Sequence, residues 1–198
     1  MTRVGVSRAG YVLVGGRSSR MGQDKALLPF RGVALARYIA DTVAGAAGNV
    51  TLVGDPERYR FLGHSVLADR YPGEGPLGGI LTALAHTAED WNLVLACDMP
   101  AVRREFLVQL LDAAEAADAD VLAPTAPSGR AEPLCAVYHR RALTGLEHFF
   151  ARGGRKMSLS LHTVRTVIVQ VDETGCFENV NTPADWAALL PDIVDARH

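Results

Sequence analysis

Short apolar runs and longer amphipathic segments alternate along the first 124 residues, and this alternation constrains the fold more than any other feature of the chain. The runs "YVLV" at 11–14 and "NVTLVG" at 49–54 are typical of buried strands, whereas residues 33–47 carry apolar side chains at helical spacing. Strands separated by helices of this length predict βαβ units with right-handed crossovers. The same pattern predicts further strands at 64–69, 92–98 and 119–124, and further helices at 56–63, 75–90 and 103–117.

This pattern predicts an α/β fold with a Rossmann-like, mostly parallel sheet. Continuous apolar strands are buried on both sides, so we expect helices on both faces of the sheet. A length of 198 residues suits one domain, and no low-complexity tract or long Pro/Gly linker divides it. The chain is therefore expected to form a single domain over 1–198.

The regular alternation of predicted strands and helices ends after residue 125. The strand-like run "EPLCAVYHR" at 132–140 does not belong to an obvious βαβ unit, and a helix closed by glycine follows at 142–154. The remaining segments predict a short helix at 156–163, a strand at 166–171 and a last helix after "NTP", with Asn181 or Thr182 as its N-cap.

Charge and cysteine content exclude several classes of protein. A net charge of −2 gives no reason to expect nucleic-acid binding. The apolar runs are far shorter than the roughly 20 residues that span a bilayer, and the first residues lack the apolar core of a signal peptide. The three cysteines form no CxxC pair or zinc pattern. We therefore expect a cytoplasmic protein that binds neither nucleic acid nor membrane.

A glycine-rich, basic loop follows the first predicted strand. It runs "GGRSSRMGQDK" from Gly15 and Gly16 through Arg20 to Lys25. It matches neither the GxGxxG fingerprint nor the GxxxxGK[ST] phosphate loop. Glycine still allows close backbone approach, and successive amides can form an anion-binding nest. A phosphate cradle is thus one interpretation of this loop, and a solvated basic turn is the other.

Two aspartates end predicted strands at the edge where α/β sheets bind ligands. Asp98 ends "LVLACD"; it suits Mg²⁺, which takes one or two carboxylates plus substrate phosphates, or a turn cap. Asp69 ends the strand at 64–69. Gly78 and Gly79 follow in the first turns of the next helix, where glycine costs about 1 kcal/mol relative to alanine. Either a bound nucleotide or helix–sheet packing would account for these glycines.

Two asparagines near the carboxyl terminus alternate in "FENVNTPADW". In an extended segment Asn179 and Asn181 would point to the same side. They are suited to bind phosphate or a metal-linked water, and turn or capping chemistry is the alternative.

The order of these motifs resembles one known family. "LVGGRSSRMGQDKALL", "GPLGGILTAL", "LACDMP", "EPLCAVY" and "FENVNTPADW" together resemble the molybdenum cofactor guanylyltransferases, the MobA family, over residues 11–190. The resemblance implies the nucleotide-diphospho-sugar-transferase-like fold. It implies transfer of GMP from GTP to molybdenum-molybdopterin with release of pyrophosphate, Mg²⁺ being required. It also implies a nucleotide-binding half at 11–124 and an acceptor, pterin-side half at 125–190.

The resemblance also implies roles for individual residues. Arg20, Lys25 and Asp98 would be catalytic, and Asp98 would bind Mg²⁺. Asp69 would hold the guanosine, and Asn179 and Asn181 would lie on the pterin or metal side of the crevice. The full set of implied nucleotide and acceptor contacts is Leu13, Val14, Gly15, Gly16, Lys25, Asp69, Gly78, Asn179 and Asn181.

Other functions stay open at this point. A related nucleotidyltransferase using CTP, or another acceptor such as a sugar phosphate or phospholactate, would share the first motif. A non-catalytic nucleotide-binding maturation factor would be expected to lose Lys25 or Asp98, and both are retained. A dinucleotide oxidoreductase is disfavoured because GxGxxG is missing. The expected partners are GTP, molybdenum-molybdopterin, molybdoenzymes and other cofactor-maturation proteins, and the chain is expected to be a monomer.

Overall fold

The computed structural model describes residues 7–15, 24–125, 129–171, 176–177, 179–180, 182 and 184–187. The strands in this part of the chain are β1 (Arg8–Leu13), β2 (Pro29–Phe30), β3 (Val33–Ala34), β4 (Thr51–Gly54), β5 (Ser65–Ala68), β6 (Trp91–Ala96), β7 (Val121–Thr125), β8 (Cys135–His139) and β9 (Thr166–Gln170). Seven of them form one sheet in the order β5-β4-β1-β6-β8-β7-β9, and a separate two-stranded hairpin pairs β2 with β3.

Helices cover both faces of the sheet, which confirms the predicted α/β class. The helices are α1 (Leu35–Ala47), α2 (Pro56–Tyr59), α3 (Pro76–His86), α4 (Arg104–Ala117), α5 (Ala142–Ala151) and α6 (Met157–Ser160). On β6 the side chains alternate between two hydrophobic clusters: Leu93 and Leu95 pack with α1 and α4, and Val94 packs with α3 and α5. Burial on both faces explains why these strands are continuously apolar.

The sheet is parallel except at β8. Strand β8 is antiparallel to both β6 and β7, and β7 pairs with β9 in parallel. The amino end of β8 therefore lies at the carboxyl edge of the parallel strands, where the Ala96 amide donates to the Leu134 carbonyl at 2.8 Å. This accounts for the run at 132–140 that fitted no βαβ unit.

The strand order reverses at β1. Strand β4 follows β1 on one side, and β6 pairs with β1 on the other. Such a reversal opens a crevice beyond the carboxyl ends of the two central strands, and this is where open α/β sheets bind ligands. Residues that follow β1 and β6 are thereby brought to the crevice.

Some element boundaries differ from the sequence prediction. Val33 and Ala34, predicted as helical, form the second strand of the hairpin, and α1 begins at Leu35. Helix α3 ends at His86 rather than at residue 90. Thr182 is confirmed as the N-cap of the last helix: its hydroxyl accepts from the Asp185 amide at 3.1 Å, and its own amide donates to the Asp185 carboxylate at 2.8 Å. Throughout the described part of the chain, every helix is too short or too polar to cross a bilayer.

Candidate functional site

Lys25 and Asp98 form an ion pair at the mouth of the crevice. The Lys25 Nζ atom lies 3.1 Å from Asp98 Oδ2, and the two side chains are only 13% and 22% exposed. Lys25 begins the 3-10 helix Lys25–Leu27 after the loop that follows β1, and Asp98 lies just beyond the end of β6. The strand reversal therefore brings together two residues that are 73 positions apart in the chain.

The segment around Asn179 completes this arrangement. The Val180 amide donates to the Asp98 carbonyl at 3.0 Å, and the Val180 carbonyl accepts from Lys25 Nζ at 2.6 Å. Asn179, predicted from the alternating asparagines, thus lies beside the Lys25–Asp98 pair. Asn181, Gly16 and Arg20 fall outside the described residues, so their predicted roles stay predictions.

Two buried oxygens near the pair lack a hydrogen-bond partner among the described residues. They are Asp98 Oδ1 and Asn179 Oδ1. Buried polar atoms are nearly always paired, so an orphaned one calls for a ligand, an ion or a water. Carboxylate and amide oxygens are hard donors of the kind that Mg²⁺ takes. The donor set at this point therefore fits a divalent cation.

Leu13, Val14 and Gly15 lie at the carboxyl end of β1, next to the strand reversal. The Val14 amide continues the ladder to the Val53 carbonyl at 3.0 Å, and the Leu13 carbonyl accepts from the Cys97 amide at 3.2 Å. Gly15 then adopts a φ of 106°, which only glycine tolerates easily. A backbone conformation that favours glycine thus occurs at the point predicted for nucleotide contact.

Gly54, at the end of β4, packs closely against the end of the neighbouring strand β1. A Cβ atom there would lie 2.5 Å from the Val14 carbonyl oxygen, so alanine would force the end of β1 to move. We expect Gly54→Ala to destabilise the fold by about 1–3 kcal/mol, the usual cost of overpacking. Gly45→Ala is the matched control, because its Cβ would meet only the Arg104 side chain in an exposed part of α1. Thermal unfolding of both variants tests this, and equal melting temperatures would contradict it.

Asp69 directly follows β5, two strands away from β1, and Gly78 lies in the first turn of α3. Asp69 Oδ1 accepts from the Tyr71 amide at 2.9 Å and from the Thr82 hydroxyl at 3.0 Å. It thereby ties the loop after β5 to the first turns of α3. A Cβ atom on Gly78 would lie 2.8 Å from Tyr71 Cβ, so this glycine lets the loop pack against the helix. Both residues shape this side of the crevice, and direct nucleotide contact stays a prediction.

Asp24 was not among the predicted site residues. Its Oδ1 atom accepts from the Ala26 amide at 3.1 Å and caps the 3-10 helix that carries Lys25. Its Oδ2 atom accepts from the Tyr59 hydroxyl at 2.9 Å and pairs with Arg58 Nε at 2.6 Å. An aspartate directly before a short helix is a capping signal that the sequence does contain. The contacts of Tyr59 and Arg58 with Asp24 could not be predicted from the sequence around Asp24.

Two further titratable groups near the crevice have shifted pKa values. Burial raises the pKa of the Cys97 thiol to about 12, and the adjacent Asp98 charge adds to this shift. Burial also raises the pKa of the Glu132 carboxyl, with a smaller contribution from Asp98. Cys97 is therefore a neutral, buried residue under ordinary conditions, as small buried cysteines usually are.

A separate open groove of about 690 Å³ lies between α5 and the segment after it. Its charged lining is basic, from Arg152, Arg155 and Lys156. Arg155 also contacts the loop before α3, because its Nε atom lies 2.7 Å from Glu74 Oε2. The groove shares no lining residue with the Lys25–Asp98 pair, so it is not part of the same pocket.

Comparison with known proteins gives consistent results. The family model described as the MobA-like NTP transferase domain matches residues 10–166. A protein of Nostoc sp. named "Probable molybdenum cofactor guanylyltransferase" is 36% identical over 93% of this chain and 91% of its own length. The "Molybdenum cofactor guanylyltransferase" of Vibrio cholerae is 32% identical over 91% of each.

A solved structure shows the same fold. The crystal structure of molybdopterin-guanine dinucleotide biosynthesis protein A from Archaeoglobus fulgidus is 28% identical, with a TM-score of 0.82. The match covers 94% of this chain and 99% of that one. The similarity therefore extends beyond the sheet to nearly the whole of both chains.

Proposed function

The chain belongs to the family of MobA-like NTP transferase domains, and we propose that it transfers GMP from GTP to molybdenum-molybdopterin. In this reaction an oxygen of the molybdopterin phosphate attacks the α-phosphorus of GTP. The bond between the α-phosphorus and its bridging oxygen to the β-phosphate breaks, and pyrophosphate leaves with the electron pair. The observation that carries the proposal is the Lys25–Asp98 pair at the strand reversal, beside a buried carboxylate oxygen without a partner among the described residues.

Phosphoryl-group chemistry of this kind depends on positioning and on charge neutralisation more than on acid–base groups. The nucleophile is already an anionic phosphate oxygen, so the protein need not remove a proton from it. We assign to Lys25 the role of offsetting negative charge on the phosphates and on the leaving pyrophosphate. Asp98 holds the Lys25 ammonium in the crevice before the nucleotide arrives.

Members of the wider nucleotidyltransferase family generally use a divalent metal, and we propose Mg²⁺ here. Asp98 Oδ1 and Asn179 Oδ1 are the described atoms suited to hold it. When bound, the cation supplies positive charge that stabilises the phosphate oxygens. A site with one carboxylate is sufficient, since substrate phosphates usually complete the coordination of Mg²⁺.

We propose that the two halves of the chain divide the substrates. Leu13, Val14, Gly15, Asp69 and Gly78 belong to the nucleotide-binding half at 11–124. Val180 belongs to the second half, 125–190, and its backbone hydrogen-bonds both Lys25 and Asp98, while Asn179 directly precedes it in the chain. That juxtaposition supports an acceptor bound against the second half.

The cellular setting of the reaction is also a proposal. We propose that the protein works in the cytoplasm, because its proposed donor, GTP, is available there. We also propose that it works as a monomer. The guanine dinucleotide product would then pass to molybdoenzymes or to other cofactor-maturation proteins.

The first test compares nucleotides as ligands. We expect GTP with Mg²⁺ to raise the melting temperature more than CTP, ATP or UTP, because a ligand that binds only the folded state stabilises it. At 100 times the dissociation constant the stabilisation is about 2.7 kcal/mol, which corresponds to roughly 5–10 °C for a domain of this size. A larger shift with CTP would indicate a different base, and no shift with any nucleotide would contradict the proposal.

The second test measures the transfer itself. The protein, incubated with molybdenum-molybdopterin, GTP and Mg²⁺, should form the guanine dinucleotide and release one pyrophosphate for each dinucleotide formed. Chromatography measures the dinucleotide, and a pyrophosphate assay measures the leaving group. Binding of GTP without transfer would indicate a nucleotide-binding maturation factor instead of an enzyme.

A further inference from the structure

Two residues of α2, Arg58 and Tyr59, contact the same carboxylate oxygen of Asp24. Its side chain is 10% exposed, while the Arg58 side chain that pairs with it is 52% exposed. Tyr59, whose hydroxyl donates to the same Asp24 oxygen, is almost fully buried. Burial and the bond to Asp24 both raise the pKa of Tyr59, so the phenol stays protonated and keeps donating.

The Tyr59 hydroxyl lies close to the residues at both ends of the basic loop, Gly15 and Asp24. Gly15 and Asp24 are the described residues on either side of residues 16–23, and the Tyr59 hydroxyl lies 3.8 Å from the position of a Cβ atom on Gly15. The same hydroxyl contacts Asp24 at 2.9 Å. Helix α2 therefore supports the residues on either side of residues 16–23.

Asp24 creates an electrostatic problem for nucleotide binding. It directly precedes Lys25, the residue that we assign to the triphosphate, and Asp98 is already paired with that lysine. A second carboxylate beside Lys25 would repel phosphates and would compete for the ammonium group, unless a cation offsets it. Arg58 supplies that cation at 2.6 Å from Asp24 Oδ2.

We propose that Arg58 neutralises Asp24 and, with Tyr59, holds it in place, so that Asp24 positions Lys25 without repelling the nucleotide. Asp24 is thus a positioning residue, and Arg58 keeps its charge away from the phosphates. This inference rests on the proposed function, because it assumes that a nucleoside triphosphate binds beside Lys25.

The test is a charge-rescue experiment on the full chain. We expect Arg58→Met to raise the KM for GTP and the GTP dissociation constant about 10-fold, with kcat changed less than about 3-fold, because an uncompensated charge weakens binding of the phosphates. Adding Asp24→Asn should return both constants to within about 3-fold of the unmodified protein, since asparagine keeps an acceptor for the Ala26 amide without the charge.

Two further single variants complete the test, and the first of them is the control. Arg60→Met removes a neighbouring arginine that pairs only with Glu57 among the described residues, and it should leave both constants unchanged. Tyr59→Phe keeps the ring in the core and removes the hydroxyl. A rise in KM of about 3-fold is expected, less than the full loss of a hydrogen bond to a charged group, because Arg58 still pairs with Asp24. Melting temperatures of all variants verify that each is folded.

The outcomes separate this inference from the function on which it rests. If the unmodified protein binds no nucleotide, the proposed function and the inference both fail. If the unmodified protein binds GTP and Arg58→Met binds it equally well, only the inference fails. A weakened Arg58→Met variant that Asp24→Asn does not rescue would also overturn it, because a purely structural loss would not respond to removal of the opposite charge.

Discussion

Replacement of Asp98 by asparagine is expected to lower the rate of GMP transfer by roughly 10³-fold, the scale seen when preorganised charge stabilisation is removed from an active site. Asparagine has nearly the same shape but cannot carry the negative charge that pairs with Lys25 and that we assign to the cation. The fold should survive, because Asp98 is only partly buried and its carbonyl still accepts from the Val180 amide. Pyrophosphate release measured across a range of Mg²⁺ concentrations checks the rate.

Asp90→Asn is the matched control for this variant. Asp90 is exposed and pairs at 3.2 Å with Arg140, whose side chain is also exposed, and such pairs contribute little. Its transfer rate should equal that of the unmodified protein. If Asp98→Asn kept normal, Mg²⁺-dependent turnover, the assignment of Asp98 to the metal would be wrong. A melting temperature more than about 10 °C lower would instead assign Asp98 a structural role.

Replacement of Lys25 by methionine is expected to reduce kcat/KM for GTP by about 10²–10³-fold, since it removes the positive charge that we assign to the phosphates. Methionine keeps a long, unbranched side chain, so the loss reports charge more than packing. We expect the GTP dissociation constant to rise as well, because the ammonium group should contact phosphate before the reaction begins. Titration calorimetry and steady-state kinetics separate the loss in binding from the loss in rate.

The chain offers a direct control, because Lys156 is its only other lysine. Lys156 is exposed and lines the basic groove that is separate from the crevice. Lys156→Met should bind GTP as the unmodified protein does. Lys25→Arg tests geometry, since it keeps the charge on a larger, planar group, and we expect partial activity at best. Unchanged affinity of Lys25→Met for GTP would rule out its contact with the phosphates.

Much of the fold follows from the sequence, because buried strands and amphipathic helices leave clear periodic signals. The run at 49–54 and the pattern at 103–117 predict β4 and α4 to within two residues. The hairpin of β2 and β3 was missed because two-residue strands are too short to show any period. The place of β8 in the sheet could not be predicted either, since strand order depends on packing between distant segments.

The site divides in the same way. Asp98 and Lys25 follow recognisable strands and motifs, so their approach at the carboxyl edge could be expected from topology alone. The contacts of Asp24 with Arg58 and Tyr59 could not, because these side chains lie 34 and 35 positions further along the chain. Sequence patterns identify residues that directly follow a strand or a helix. Contacts that such residues make with a helix elsewhere in the chain are seen only in the folded structure.

The hydrogen bond from Lys25 to the Val180 carbonyl has a consequence for biosynthesis. The two residues are 155 positions apart, and at about 5–20 residues per second a ribosome needs roughly 10–30 s to make the chain between them. Strands β1, β4, β5 and β6 can already pair during that interval, since all their residues precede 97. The nascent chain can therefore pair these four strands while Lys25 and Asp98 still lack Val180, and the arrangement at the crevice is complete only once Val180 has been made.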